Sequence, residues 1–280
     1  MSKIKIVTDS TLDMPEEVLK KYDIEMVPLS VTINGETYLD CVEIEPVAFL
    51  KMMRESNELP KSSQPSVGSF LEVYDRLHEQ GYEVLSIHMT GKMSGTVRSA
   101  ECAAQMSKAK VTVIDSEFIS KALSFQVKEA AEMAKQGRSV EEIIQRLDTV
   151  RSKSSLYIMV DTLENLVKGG RIGKGKAFLG SLLNIKPIAS LEGAEYHPVA
   201  KVRSYSQVIK YFAKQFAEDV KDRTIRGVGI VHAEAGELAL KIKESIYELT
   251  GFQDVEIGYT NTTVMVHTGE GAIALMYYFD

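Results

Sequence analysis

The composition of this 280-residue chain, with 44% hydrophobic and 26% charged residues, is that of a folded globular protein, which excludes a disordered or collagen-like chain. Its net charge of −6 disfavours a general nucleic-acid or anionic-membrane surface, because both partners are polyanions. Cys41 and Cys102 form no disulfide or metal-binding pattern and fit the reducing cytoplasm. The longest apolar stretch, 272–279, is far short of the ~20 residues that span a bilayer. We therefore predict a cytoplasmic protein.

Strand and helix signals alternate along the first half of the chain. A β-branched strand at 3–8 is followed by Asp13 and Glu16, which are spaced as a capping box that predicts the next helix. The apolar segments 26–33 and 36–39 flank Asn34-Gly35, the strongest short signal for a β-hairpin. A buried strand at 82–88 then leads through a short loop into a helix predicted from Ser94 to Met106.

The same alternation continues to the end of the chain. Strands are predicted at 156–160, 185–191 and 196–202, and helices and strands alternate again from 206 onward. This order predicts layered α/β architecture, with a parallel sheet in residues 1–152 and a second α/β domain in residues 153–280. In such folds ligands bind in crevices at the carboxyl ends of strands.

One glycine-rich loop has the outline of a nucleotide-binding motif. Residues 170–177 nearly match G-x-x-x-x-G-K-[ST], but Ala177 replaces the hydroxyl that would hold Mg²⁺, and a short helix precedes the loop instead of a strand. We therefore reject nucleotide hydrolysis and expect a basic loop. The five histidines show no metal-ligand spacing, so no cofactor or metal is predicted.

Four polar residues lie at positions from which a side chain could contact a ligand or a partner. Ser94 follows a buried strand at the start of a helix, where the free N–H groups favour an anion, although a serine there is also a common helix cap. Ser62 belongs to a run of hydroxyls stiffened by Pro65, a segment that alone also fits a turn. His267 precedes two nearby glycines, and Arg203 ends a predicted strand. Each has a structural interpretation as well as a functional one.

A serine hydrolase is the alternative from another functional class. Ser94 would be the nucleophile and His267 its base, with Asp9 or Asp115 as the residue that orients the histidine. The sequence around Ser94 reads Gly91-Lys-Met-Ser94-Gly95, in which the serine stands one place later than in the nucleophile elbow G-x-S-x-G.

Taken together, the motifs resemble the DegV family, bacterial fatty-acid-binding proteins that serve as acyl-carrying subunits of fatty acid kinase. The resemblance runs nearly from end to end. The segments that carry it are Val7-Thr-Asp-Ser-Thr11, Ser63-Gln-Pro-Ser66, Met93-Ser-Gly-Thr96, Asp161-Thr-Leu-Glu-Asn-Leu-Val-Lys-Gly-Gly-Arg-Ile172, Ile185-Lys-Pro-Ile188, Lys201-Val-Arg203 and His267-Thr-Gly269.

This resemblance implies two α/β domains with a lipid tunnel between them. It implies that the carboxylate of a long-chain fatty acid such as palmitate is bound by Ser62, Ser94 and His267, and that Arg203 lies near the face that meets the kinase. The protein is then a carrier and not an enzyme in its own right, because the kinase supplies ATP and Mg²⁺ and forms the acyl phosphate. We further expect a monomer with at most transient membrane contact.

Three departures from the family pattern surround the implied site. Ser62 stands where threonine is usual, the turn 90–93 is more basic than expected, and Glu270 stands where proline is common. None of them removes a contacting group. A binder of another hydrophobic metabolite remains open, as do the preferred chain length and the residues that line the tunnel.

Overall fold

The computed structural model describes residues 3–178 and 185–280. None of the helices in these ranges has the length and apolar character needed to cross a membrane. The strands of these ranges are, in chain order, β1 (Lys3–Asp9), β2 (Glu25–Val27), β3 (Ser30–Ile33), β4 (Glu36–Leu39), β5 (Lys61–Ser63), β6 (Tyr82–His88), β7 (Val111–Asp115), β8 (Ser154–Met159), β9 (Lys186–Glu192), β10 (Glu195–Val202), β11 (Ile225–His232), β12 (Glu256–Tyr259) and β13 (Ile273–Phe279).

The α-helices of the same ranges connect these strands. They are α1 (Glu16–Tyr22), α2 (Pro46–Glu55), α3 (Val67–Glu79), α4 (Thr96–Met106), α5 (Ser120–Lys135), α6 (Val140–Ser152), α7 (Glu164–Lys168), α8 (Tyr205–Asp219), α9 (Gly236–Thr250) and α10 (Thr262–Thr268). Short 3-10 helices occur at Ser10–Leu12 and Gly173–Phe178. The predicted mixed α/β class is confirmed.

A four-stranded sheet in the order β2-β1-β6-β7 forms the first layer, and its pairings are all parallel. Both faces are buried: Val7 and Val84 pack toward α3 and α4, whereas Ile6 and Leu85 belong to the core shared with α5. β6 contributes Val84, Leu85 and Ile87 to these faces, and its buried Ser86 and His88 hydrogen-bond to each other. Because β1 and β6 are parallel, their carboxyl ends lie side by side.

The hairpin prediction is half right. β3 and β4 pair antiparallel through Asn34-Gly35, both at positive φ, as a tight hairpin requires. The single strand predicted at 26–33, however, is two strands in different sheets: β2 pairs with β1, and β3 pairs with β5. Pro28 separates them because it lacks the N–H that a continuous ladder requires.

The remaining sheet has six strands in the order β10-β9-β8-β13-β11-β12. Its pairings are antiparallel except that of β11 with β12. β13 is buried along its whole length between β8 and β11. α8 and α9 cover one face through Phe212, Phe216 and Ile242, and α5 packs near β13 on the other face through Phe125 and Tyr278. The division at residue 152 into two domains stays a prediction.

The predicted capping box of α1 is wrong. Pro15 is the N-cap of α1, and no side chain caps it. Asp13 instead accepts hydrogen bonds from Ser120, Thr260 and Asn261, and burial raises the pKa of its carboxyl group despite those bonds. The capping pattern that Asp13 forms with Glu16 in the sequence is therefore overridden by hydrogen bonds from residues far along the chain. The second predicted box, Ser139 with Glu142 at the start of α6, is present.

Candidate functional site

A cavity of about 310 Å³ lies where β1 and β6 end, as expected for this sheet type. Its lining combines polar and apolar side chains. The polar residues are Thr11, Ser62, Ser63, Gln64, Ser94, Arg171, Thr263, His267 and Thr268. The apolar residues are Leu29, Met89, Met93, Ile119, Leu166, Tyr196 and Val264. Three of the predicted site residues, Ser62, Ser94 and His267, therefore face one cavity.

Ser62 and His267 are in direct contact although 205 residues separate them. Ser62 Oγ lies 2.8 Å from His267 Nε2. Ser62 is held in β5, where it pairs with Val31 of β3, and His267 is in the last turn of α10. The serine in place of the usual threonine thus keeps its hydroxyl at the histidine.

His267 is neutral at pH 7. Burial, with a smaller contribution from the positive charge of Arg171, lowers its pKa from 6.5 to about 4. Nδ1 has no hydrogen-bond partner among the described residues. The ring lies so close to Gly169 that a Cβ at that position would stand 2.4 Å from Nδ1. A glycine is therefore required where the ring packs against the chain.

Ser94 is part of the turn before α4, and the predicted helix start at Ser94 is two residues early. α4 begins at Thr96 with Gly95 as its N-cap. Ser94 Oγ accepts from the Thr96 N–H at 3.3 Å and lies 2.8 Å from Thr96 Oγ1. The cap-like bond and the place in the cavity wall coexist, so the two interpretations of Ser94 do not exclude each other.

Gln64 fixes the hydroxyl-bearing segment against the start of α4. Its Nε2 donates to the Gly95 carbonyl at 3.2 Å and to Ser99 Oγ at 2.8 Å. A Cβ at Gly95 would lie 2.1 Å from Gln64 Oε1. The polar segment near Ser62 and the turn that carries Ser94 are thereby held together.

Arg171 is the charged residue of the cavity wall that sequence reasoning missed. It lies in the glycine-rich loop that was expected to be a solvated basic segment. Its Nε donates to the Met93 carbonyl at 3.0 Å, and one terminal nitrogen donates to the Gly169 carbonyl at 2.5 Å. The signal was present as Gly169-Gly170 directly before an arginine, a place where the chain can turn back on itself; Gly170 has φ +73°.

Asp40 places the helix that carries His267. This buried carboxylate accepts hydrogen bonds from the Thr262 N–H at 3.0 Å, Thr262 Oγ1 at 2.6 Å, Thr263 Oγ1 at 2.8 Å and Ser10 Oγ at 2.7 Å. It therefore joins the first N-terminal turn to the start of α10. No short motif marks it in the sequence.

The hydrolase geometry is not formed at Ser94 and His267. Nε2 of His267 contacts Ser62, and within residues 3–178 and 185–280 no carboxylate bonds to Nδ1. Asp9 instead bonds to His88 at 3.1 Å, and Asp115 accepts from backbone N–H groups of Gly91 and Glu117. The two predicted orienting carboxylates are thus used elsewhere.

A Ser-His-Asp sequence of contacts does occur deep in the protein. Ser86 Oγ lies 2.7 Å from His88 Nε2, and His88 Nδ1 lies 3.1 Å from Asp9 Oδ2. All three residues have 0% exposure, and the Ser86 hydroxyl also bonds to Tyr74. No substrate reaches this serine, so we interpret the chain of contacts as structural. Asp9 also accepts from the Met89 N–H at 2.9 Å, which holds one cavity residue in place.

Arg203 stands apart from the cavity. It follows β10 directly, is exposed, and its backbone N–H donates to Gln207 Oε1 at 2.7 Å. The cavity lining does not include it.

In the described part of the chain, no group of three or more acidic, histidine or cysteine side chains could hold a metal ion.

Comparison with known proteins gives consistent matches over the whole chain. The DegV family model matches residues 3–280. A DegV domain-containing protein of Listeria monocytogenes is 43% identical over 281 residues and 100% of both chains. A fatty-acid-binding DegV family protein of Thermus thermophilus has a TM-score of 0.93 at 32% identity, and a DegV fatty acid binding protein of Bacillus subtilis has 0.90 at 34%. Both structural matches cover 100% of each chain.

Proposed function

The chain belongs to the DegV family, and from this membership we propose that it binds a long-chain fatty acid in the 310 Å³ cavity and presents the carboxylate to a kinase. One observation carries the proposal: Ser62 and the neutral His267, in contact at 2.8 Å, line a cavity that Ser94 and seven apolar side chains also line. An amphiphile with one small polar head and an apolar tail fits such a lining. The solved relatives are described as fatty acid binding proteins.

His267 would orient Ser62 for the carboxylate. If the neutral ring carries its proton on Nε2, it donates to Ser62 Oγ across the 2.8 Å contact. The hydroxyl hydrogen of Ser62 is then free to donate to a carboxylate oxygen. Nδ1 is left as an unpaired acceptor, consistent with its lack of a partner in residues 3–178 and 185–280. An unpaired acceptor costs less than a buried donor in contact with carbon.

The remaining donors offset the burial of the carboxylate charge. Ser94 contributes a second hydroxyl, and Arg171 contributes a positive charge in the same wall. Charge-assisted hydrogen bonds are roughly twice as strong as neutral ones. For palmitate, about 14 methylenes at ~0.8 kcal/mol each set an upper limit near 11 kcal/mol on the apolar contribution before ordering costs.

Presentation to a kinase requires that the carboxylate stay reactive while bound. A carboxylate oxygen attacks the γ-phosphorus of ATP, the bond from that phosphorus to the β–γ bridging oxygen breaks, and ADP leaves. Hydroxyl donors lower the nucleophilicity of the carboxylate less than a bidentate arginine pair would. The exposed Arg203 would contact the partner, where its planar guanidinium suits a carboxylate or phosphate group.

Two measurements test the proposal. Denaturing mass spectrometry of lipid extracted from the purified protein should find a long-chain fatty acid, and added palmitate should bind to delipidated protein. Ser94→Ala should weaken binding by about 1–3 kcal/mol, because a charged acceptor loses a donor. Ser69→Ala, outside the cavity, serves as the control. Preparations that carry no lipid and do not bind palmitate would refute the proposal.

A further inference from the structure

Three cavities meet at one side chain, Tyr196. It lines the 310 Å³ cavity and also two smaller ones of about 20 Å³ each. No other described residue is shared by all three linings. Each small cavity has room for about one water-sized group. The phenol ring of Tyr196 is therefore a partition between the proposed lipid site and space beyond it.

The partition is firmly held. Tyr196 is 4% exposed and lies in β10, where it pairs with Leu191 of β9. The 3-10 helix Gly173–Phe178 packs on the backbone of Tyr196, since a Cβ at Gly173 would lie 3.4 Å from the Tyr196 nitrogen. Burial raises the pKa of the phenol, so the ring stays neutral at pH 7. The backbone that carries the ring is thus held on two sides, and the buried ring excludes other atoms from the volume that it fills.

The two small cavities differ in character. One includes the side chains of His232, Thr260 and Ser120 in its wall. The other, between β8, β9 and α7, is lined by aliphatic residues and glycine apart from Tyr196 itself; Ile158, Val160 and Leu163 are among them. A hydrocarbon end gains more in the second cavity, because no polar group there loses solvation. We call it the aliphatic cavity.

We infer that Tyr196 sets the longest acyl chain that the site accepts, by closing the aliphatic cavity to the methyl end of the ligand. The inference rests on the proposed function and specifies its substrate class. Up to the chain length that reaches the ring, each added methylene should raise the affinity about fourfold. A longer chain must either displace the ring or leave its end outside, so the gain stops.

Dissociation constants for saturated acids from dodecanoate to docosanoate provide the test, on delipidated wild type, Tyr196→Ala and Tyr196→Phe. In the wild type, affinity should rise with length and then level off. In Tyr196→Ala the levelling should move to chains at least two methylenes longer, with about tenfold or more gain for those chains. Tyr196→Phe keeps the ring and should keep the wild-type limit.

A second substitution makes the test specific to the aliphatic cavity. Ala189 lies in its wall, so Tyr196→Ala combined with Ala189→Leu should move the limit back toward wild type. If Tyr196→Ala does not fold, Tyr196→Leu replaces it, with a smaller shift expected. Equal limits in wild type and the folded small-residue variant, or an equal shift in Tyr196→Phe, would overturn the inference. Failure of the wild type to bind any acid would instead overturn the proposed function.

Discussion

Single residues set the position of His267, and Gly169 is one of them. Its backbone has φ −74°, so alanine is not strained there; the obstacle is steric. An added Cβ would lie 2.4 Å from His267 Nδ1 and 2.9 Å from the Asn165 carbonyl. We expect Gly169→Ala to displace the ring from Ser62 and to weaken palmitate binding at least tenfold, about 1.4 kcal/mol. Gly258→Ala, with nothing within 4 Å of its Cβ, is the control. Equal affinities in the two variants would remove His267 from the head-group site.

Glu270 shows how a departure from the family pattern is absorbed by its neighbours. It accepts two hydrogen bonds from Arg54 of α2, at 2.9 Å and 2.6 Å, and this pairing lowers the pKa of its carboxyl group. The charge lies beside the end of α10 and outside the cavity lining. The added negative charge is thus paired on the surface, outside the cavity in which the carboxylate is proposed to bind.

At the scale of elements, α10 depends on a carboxylate from the other end of the chain. Asp40→Asn replaces a fully buried acceptor of four hydrogen bonds from N–H and hydroxyl groups and of one from Cys41 Sγ. We expect a loss of about 2–3 kcal/mol in the free energy of unfolding and weaker palmitate binding, since α10 carries His267. Urea unfolding and a binding titration measure the two effects.

The control for Asp40 is Asp75→Asn. Asp75, in α3, accepts from Ser107 Oγ at 2.5 Å. A variant at Asp40 that loses stability but binds palmitate with wild-type affinity would show that α10 holds His267 without this anchor.

At the scale of the whole molecule, pH should act through His267. The unfolded chain protonates this histidine near pH 6.5, whereas the folded protein keeps it neutral to about pH 4. Its contribution to stability is therefore complete above pH 6.5 and is lost as the pH falls toward 4. Between pH 7 and 4.5 the ligand-free wild type should lose about 2–3 kcal/mol more than His267→Gln. His78→Gln, at an exposed position, should follow the wild type; parallel curves for all three proteins would contradict the buried neutral state.

The proposed presentation to a kinase would depend on the surface of the whole molecule. Arg203 is exposed and does not line the cavity, so Arg203→Ala should leave palmitate binding within about twofold, well under 1.4 kcal/mol. Acyl-phosphate formation by the partner kinase should fall at least tenfold. Arg138→Ala, at the start of α6 and beside the amino end of β1, is the matched control. Equal loss of binding and turnover would place Arg203 in the lipid site.

Local patterns predicted the elements better than their partners. The Asn34-Gly35 hairpin turn and the cap at Ser139 depend on neighbouring residues, and both are present. Asp13 has the spacing of a cap but is used by Ser120 and Asn261, more than a hundred residues away. The basic, glycine-rich sequence around Arg171 predicted a solvent-exposed loop. Its place in the cavity wall depends on a hydrogen bond to the distant Met93 carbonyl, which no local pattern indicates. Periodicity cannot report such pairings.

The 205 residues between Ser62 and His267 also impose an order in time. Ser62 is made early, but its partner lies near the end of the described chain, on a helix that precedes β13. β13 in turn pairs with both β8 and β11, so the two halves of the six-stranded sheet cannot join before β13 is in place. Contacts between residues so far apart in sequence form late in folding, because the entropy of closing the long loop is lost before the contact adds any stability. A growing polypeptide on the ribosome therefore lacks the Ser62–His267 pair, and the proposed ligand could bind there only after synthesis has passed α10 and β13.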